Sequence, residues 1–218
     1  YDYLGRLLAS RGYIVASVDQ NFLNFSLVDL LRSDIGLSNE HRARGWLLLE
    51  HLRLWREWNV QAGNPFLGKV DLERIALIGH SLGGEAVAVA AALNRLAVLP
   101  EDARIGLPHG FGIRSVVALA PAQGGYLPGG KPAALENVNY LTLQGNHDLP
   151  VPRFDGAMQF ERVRFTDSGD WFKATVYIDR ANHGQFNAIW GRDDSLGLGH
   201  QFLNLRPLLT GQEQQRIA

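Results

Sequence analysis

The stretch IALIGHSLGGEAVAVAAAL, residues 75–93, constrains the fold more than any other part of the chain. An apolar run ends on Gly79, a lone serine follows between glycines, and an alanine-rich run begins at once. Residues 74–78 read as a buried strand, and residues 83–96 as a helix rich in the best helix former. A chain passes from one to the other so abruptly only through a tight turn. Gly79 and Gly83 are expected to give that turn room where a Cβ would clash, and Gly84 to let the helix approach the sheet.

The rest of the chain repeats this alternation. Leu4, Leu7 and Leu8 recur at helical spacing before Gly12, a C-cap signal. YIVASVD (residues 13–19) reads as a buried strand. Residues 21–39 are mixed in character, with loop and a short helix. Residues 39–58 form a strong helix with Leu48, Leu52 and Trp55 along one face, ended by the Gly- and Pro-containing AGNPFLGKV. Residues 114–120, 139–144 and 172–178 give three further strands. Strands alternating with helices predict an α/β fold, a mainly parallel sheet flanked by helices on both faces. The segment PAQGGYLPGGKP (residues 121–132) follows a strand and so belongs at the carboxyl edge of the sheet, where open α/β sheets bind ligands.

Composition narrows the chemistry. A formal net charge of -1 over 218 residues gives no electrostatic reason to expect nucleic acid or an acidic membrane as a partner. Without cysteine there is no thiol nucleophile, no disulfide framework and no Cys-ligated metal. No apolar run approaches the roughly 18–20 residues of a membrane span, and residues 1–12 lack a signal-peptide layout. The compartment is left open. Residues 1–218 read as one domain. Its opening helix has no strand before it and its last helical run stops at once, which suggests a piece of a longer protein.

Gly79-His80-Ser81-Leu82-Gly83 fits the G-x-S-x-G nucleophile-elbow pattern. With 24 glycines in the chain, chance alone supplies about 0.1 such matches, so the flanks decide. Here a strand precedes and a helix follows, as an elbow requires. The alternative is a glycine turn whose serine merely caps the helix. A serine nucleophile needs a base and an orienting acid, in the chain order Ser, Asp or Glu, His. Asp148 follows the strand at residues 139–144, and His183 follows the one at 172–178. Asp179 and Asp155 are rival acids, Asp179 being better suited to a loop-fixing hydrogen bond. Among the other histidines, His80 suits packing or the pocket floor, and His147 should point away from Asp148. His200 reads as a surface residue, and His41, His51 and His109 as solvated or capping. A metal site from His147, Asp148 and His183 lacks ligand spacing.

Taken together, GYIVASVD, DLERIALIGHSLGGEAV, LQGNHDLPV and NHGQF resemble the α/β-hydrolase superfamily. They are most similar to its branch of dienelactone hydrolases, platelet-activating-factor acetylhydrolases and cutinase-like polyester hydrolases. The resemblance runs from about Leu4 to Gln185; residues 186–218 form a poorly matched extension. It implies a carboxylester hydrolase that needs no cofactor. Ser81 attacks the acyl carbonyl, His183 moves the proton, Asp148 orients the imidazole, and the Leu82 N–H is one oxyanion donor. The second donor comes, in such proteins, from a loop after an earlier strand, which this sequence does not contain. The sheet is therefore expected to lack its first strands. Trp171, Phe186 and Trp190 are candidates to line an apolar acyl pocket, with core packing as their alternative. The partner implied is a small-molecule or polymeric ester. Competing readings are a catalytically silent binding domain of the same fold, a peptidase of prolyl-oligopeptidase type and, more distantly, a dinucleotide-binding protein.

Overall fold

The computed structural model describes residues 1–23, 38–194 and 207–218. Four parallel strands form the central sheet: β1 (Ile75–His80), β4 (Ile113–Leu119), β6 (Asn139–Gly145) and β8 (Lys173–Ile178), side by side in that order. The fold is α/β. Pairing aligns the carboxyl ends, so one row across the sheet reads His80, Leu119, Leu143, Val176. Whatever follows each strand therefore emerges at a common edge.

Alternation along the strands sorts the core into two layers. Val116, Ala118 and Tyr140 face one way and join Leu49, Leu93 and the alanines of the central helix. Val117, Leu119, Leu141 and Leu143 face the other way, toward Ile178, Phe186 and Leu209. The first face is covered by α2 (Ser38–Trp58), α3 (Leu82–Leu93) and α4 (Asp155–Arg162); the second by α1 (Asp2–Ser10), through Leu4, and by α5 (Gly211–Ile217), through the adjoining Ala218. Helix α3 is apolar nearly all round because α2 lies across its outer side. Gly45 makes that crossing close: a Cβ there would lie 2.5 Å from Val89 Cγ1.

Several expectations are met and several corrected. The strand runs at residues 114–120, 139–144 and 172–178 form within a residue or two of the expected bounds. α5 is capped by Thr210, whose hydroxyl and Glu213 form a reciprocal capping box. Residues 13–19 are not a strand: Tyr13 is 60% exposed, Ile14 49% and Val15 43%. An apolar run becomes a strand only where a neighbour completes its hydrogen bonds, and no described strand lies beside it. For the same reason β1 is half-exposed rather than buried, since among the described residues it pairs only with β4. On α2 Leu48 and Leu52 pack against the core as expected, and Leu49 beside them, not singled out in the sequence, is the fully buried residue. The β2 (Val98–Leu99)–β3 (Asp102–Gly106) hairpin, the short β5 (Leu135–Glu136)–β7 (Val163–Arg164) pair and α4 were not anticipated. Residues 24–37 lie outside the described residues.

Leu49 has no solvent exposure at the α2–α3 contact. Leu49→Ala is expected to lower the unfolding free energy by about 2–5 kcal/mol in a urea titration, and a loss under about 1 kcal/mol would mean that the two helices do not share this core.

Candidate active site

At the end of β1 the backbone turns on Ser81, which adopts φ 57°, ψ −123°. A side chain other than glycine seldom sits there, and such strain costs on the order of 1–3 kcal/mol. Surrounding hydrogen bonds hold the turn. The Ser81 N–H donates to the Leu119 carbonyl at 3.0 Å, and the Ser81 carbonyl accepts from Gly84 at 2.9 Å and Ala122 at 3.0 Å. A Cβ on Gly79 would lie 2.0 Å from the Gly83 carbonyl oxygen, and one on Gly84 2.6 Å from the Pro121 Cβ. Gly83 departs from expectation, because a Cβ there would meet nothing within 4 Å. Its carbonyl, not its missing side chain, is what presses on Gly79. The Ser81 hydroxyl makes no hydrogen bond to a described residue. Leu82 opens α3, so its N–H has no intrahelical acceptor and is left for an external oxygen.

The loops after β6 and β8 bring Asp148 and His183 together. His183 Nδ1 lies 2.9 Å from Asp148 Oδ2, and the two side chains are 4% and 1% exposed. A carboxylate accepts from an N–H, so Nδ1 carries a proton, and in the neutral imidazole the lone pair is then on Nε2. The second oxygen of Asp148 accepts the Val151 N–H at 2.8 Å. His80, a residue of the elbow itself, links the elbow to this pair. Its Nε2 donates to the His183 carbonyl at 3.1 Å, and the two rings lie 4.4 Å apart. Burial, and then repulsion from His183, push the His80 imidazole down to about 3, so it stays neutral.

Trp190 covers this pair. Its ring is stacked at 20° to that of His183 with centroids 6.4 Å apart, and lies 5.5 Å from that of His80. It remains 58% exposed. The other two expected pocket residues lie elsewhere. Phe186 is fully buried among Leu119, Leu143, Ile178 and Leu209, so it is core. Trp171 precedes β8 and thus lies at the amino edge of the sheet, opposite Ser81. There it donates to Asp167, stands beneath Arg114 and lines a cleft of about 450 Å³.

Asp179 accepts from the Asn146 side chain at 2.7 Å, which ties the two loops together without meeting His183. Asp155 begins α4, buried, and burial raises its carboxyl above the ordinary range. His147 turns to Asn146, away from Asp148. His51 is half-buried on α2, and His200 lies outside the described residues. His41 and His109 are neither solvated nor caps. His109 is buried against Trp46 and Phe111. His41 Nδ1 meets Glu85 Oε2 at 2.6 Å, while Glu85 Oε1 accepts from Gly125 at 2.8 Å and Tyr126 at 3.2 Å. Burial by itself would raise the Glu85 carboxyl; the His41 partner and these two N–H groups outweigh it and hold it below its ordinary value. Glu85 thereby anchors the glycine-rich segment after β4. Its signal was a single acid in an otherwise apolar helix. Among the described residues no three His, Asp or Glu side chains are grouped to hold a metal, and no helix is long and apolar enough to cross a membrane.

No protein-family model and no curated protein matches the chain. Among solved structures, the chain is similar to one described as the structure of an alpha-beta serine hydrolase homologue from Coxiella burnetii, at 18% sequence identity and a TM-score of 0.37. The match covers 62% of this chain and 50% of that one, so the chain spans about half of the length of the protein it is compared with. The class rests on the chain's own topology: an α/β fold whose parallel strands open at one common edge.

The folded-state value of His80, about 3, lies below its ordinary 6.5. Between those limits the unfolded chain takes up a proton that the folded one refuses, so stability is lost as pH falls through that window. Wild type should therefore lose unfolding free energy more steeply than His80→Gln there, by up to about 1.4 kcal/mol per pH unit. Equal slopes in urea titrations would contradict the buried, neutral imidazole.

Proposed function

We propose that the chain is one α/β-hydrolase domain that cleaves carboxylic esters through an acyl-enzyme on Ser81. The observation that carries this reading is the 2.9 Å pairing of His183 Nδ1 with buried Asp148, on loops that end beside a strained serine turn. A structural serine in a strand-to-helix turn has no need of positive φ, and a structural His–Asp pair has no need to leave Nε2 free.

In this mechanism His183 Nε2 takes the Ser81 proton as Oγ bonds to the acyl carbon. The carbonyl π electrons move to oxygen, where the Leu82 N–H and the α3 dipole oppose the new charge. The tetrahedral species then collapses. The C–O bond to the alcohol breaks, and His183 gives the proton to the departing oxygen. A water repeats the sequence: His183 takes its proton, the water oxygen bonds to the acyl carbon, and Ser81 leaves with the proton returned. Asp148 keeps Nδ1–H in place and opposes the imidazolium charge; it does not itself take the proton. Neutral His80 adds no second cation beside the imidazolium. Trp190, open to solvent over His183, is the residue to flank the acyl or alcohol group. An uncharged ester of small to medium acyl chain is the substrate class of this reading.

The test is hydrolysis of p-nitrophenyl butyrate by wild type and four variants. Ser81→Ala and His183→Ala should abolish turnover. Asp148→Asn should lower kcat by about 10⁴-fold through the wrong tautomer, while Asp179→Asn stays within about threefold of wild type. Turnover that persists in Ser81→Ala overturns the nucleophile, and the reverse ranking of the two aspartates overturns the choice of acid.

A further inference from the structure

We propose that Asp194 is a positioning residue for this reaction, a carboxylate that ties the loop carrying His183 to the loop carrying Asp148. The inference rests on the reading of Ser81, Asp148 and His183 given above. Asp194 Oδ2 accepts the His183 N–H at 2.8 Å and, at the long distance of 3.5 Å, the N–H of Leu149, the residue next to Asp148. Its Oδ1 accepts the Gly184 N–H and the Asn182 Nδ2, both at 2.8 Å. Four donors thus converge on one side chain, three from the residues around the base and one from the residue beside the acid.

An ionised carboxylate matches this set because it is acceptor-only, with about four lone-pair directions. Asparagine does not, since its NH₂ would face N–H donors. The chain leading to Asp194 is fixed by the same loop: Asn182 Nδ2 also reaches the Arg192 carbonyl at 3.1 Å, and a Cβ on Gly184 would lie 2.7 Å from the Gly191 carbonyl. Burial raises the Asp194 carboxyl, and the N–H groups of His183, Gly184 and Leu149 oppose that shift in the order given. The Asp148–His183 hydrogen bond joins side chains, whereas Asp194 joins the backbones that carry them. Side-chain aim depends on both, and a misplacement of about 1 Å at a reacting group can cost on the order of 10²-fold in rate.

Asp194→Asn and Asp194→Glu, with Ser81→Ala beside them, test this by kcat and KM on p-nitrophenyl butyrate, with far-UV circular dichroism as the check on folding. Asp194→Asn is expected to lower kcat by about 10²-fold with KM within about threefold, the mark of a lost transition-state geometry and not of lost binding. Asp194→Glu keeps the charge and both acceptor oxygens and should recover kcat to within about tenfold of wild type. A folded Asp194→Asn with wild-type kcat, or an Asp194→Glu as poor as the asparagine variant, overturns the proposal. Wild type supplies a check that survives a misfolded variant: the His183 and Gly184 amides should resist hydrogen exchange as strongly as β8, and free exchange at both overturns it. Turnover unchanged in Ser81→Ala defeats the hydrolase reading itself; Ser81-dependent turnover indifferent to Asp194→Asn defeats this inference alone.

Discussion

The contact between Gly79 and the Gly83 carbonyl governs the turn on which the site is built. With a Cβ on Gly79 only 2.0 Å from that oxygen, the strand and the helix could not meet at this angle. Once they do, Ser81 is forced to φ 57°, and its peptide groups are spent on Leu119, Gly84 and Ala122 rather than on a regular strand or helix. The side chain is then left standing beyond the sheet edge. Every other part of the site is arranged toward that point, because the parallel pairing brings the carboxyl ends of β4, β6 and β8 to the same edge of the sheet.

Electrostatics follow from how dry that edge is. Asp148 is almost wholly buried, yet one oxygen has an imidazole N–H and the other a backbone N–H, so its charge is compensated. His80 has only a carbonyl to offer a proton to, and it remains neutral. Two rings 4.4 Å apart thus have different duties. One is an apolar spacer with a single hydrogen bond, and the other is the group whose proton the proposed chemistry moves. Glu85 and Asp194 act further out, each a buried or half-buried carboxylate that gathers N–H groups of a loop which would otherwise be free to move.

What was legible in the sequence is what local pattern dictates. The runs at residues 114–120 and 139–144 are buried or half-buried along most of their length, so they are rich in apolar residues and their strands were readable. The elbow was readable because glycine, strand and helix signals lie within nineteen residues of one another. Asp148 and His183 were readable as loop residues following strands. Residues 13–19 misled because apolar character reports burial in a sheet only when a neighbouring strand is present. Trp171 misled because sequence nearness to His183 is not spatial nearness: a whole strand, β8, separates the two edges of the sheet. The Glu85–His41 pair and the Asp194 bonds join residues far apart along the chain, or hidden in a loop without period, and pattern cannot see such pairings. Helix α4 was missed for the opposite reason: its eight residues make only about two turns, too few for a helical period to stand out from the loop before it.

Intact mass after incubation with a fluorophosphonate tests most directly whether Ser81 is an activated nucleophile. The account predicts one covalent adduct on wild type, absent from Ser81→Ala and strongly slowed in His183→Ala. A folded wild-type protein that takes up no adduct, or an adduct that persists in Ser81→Ala, would contradict it.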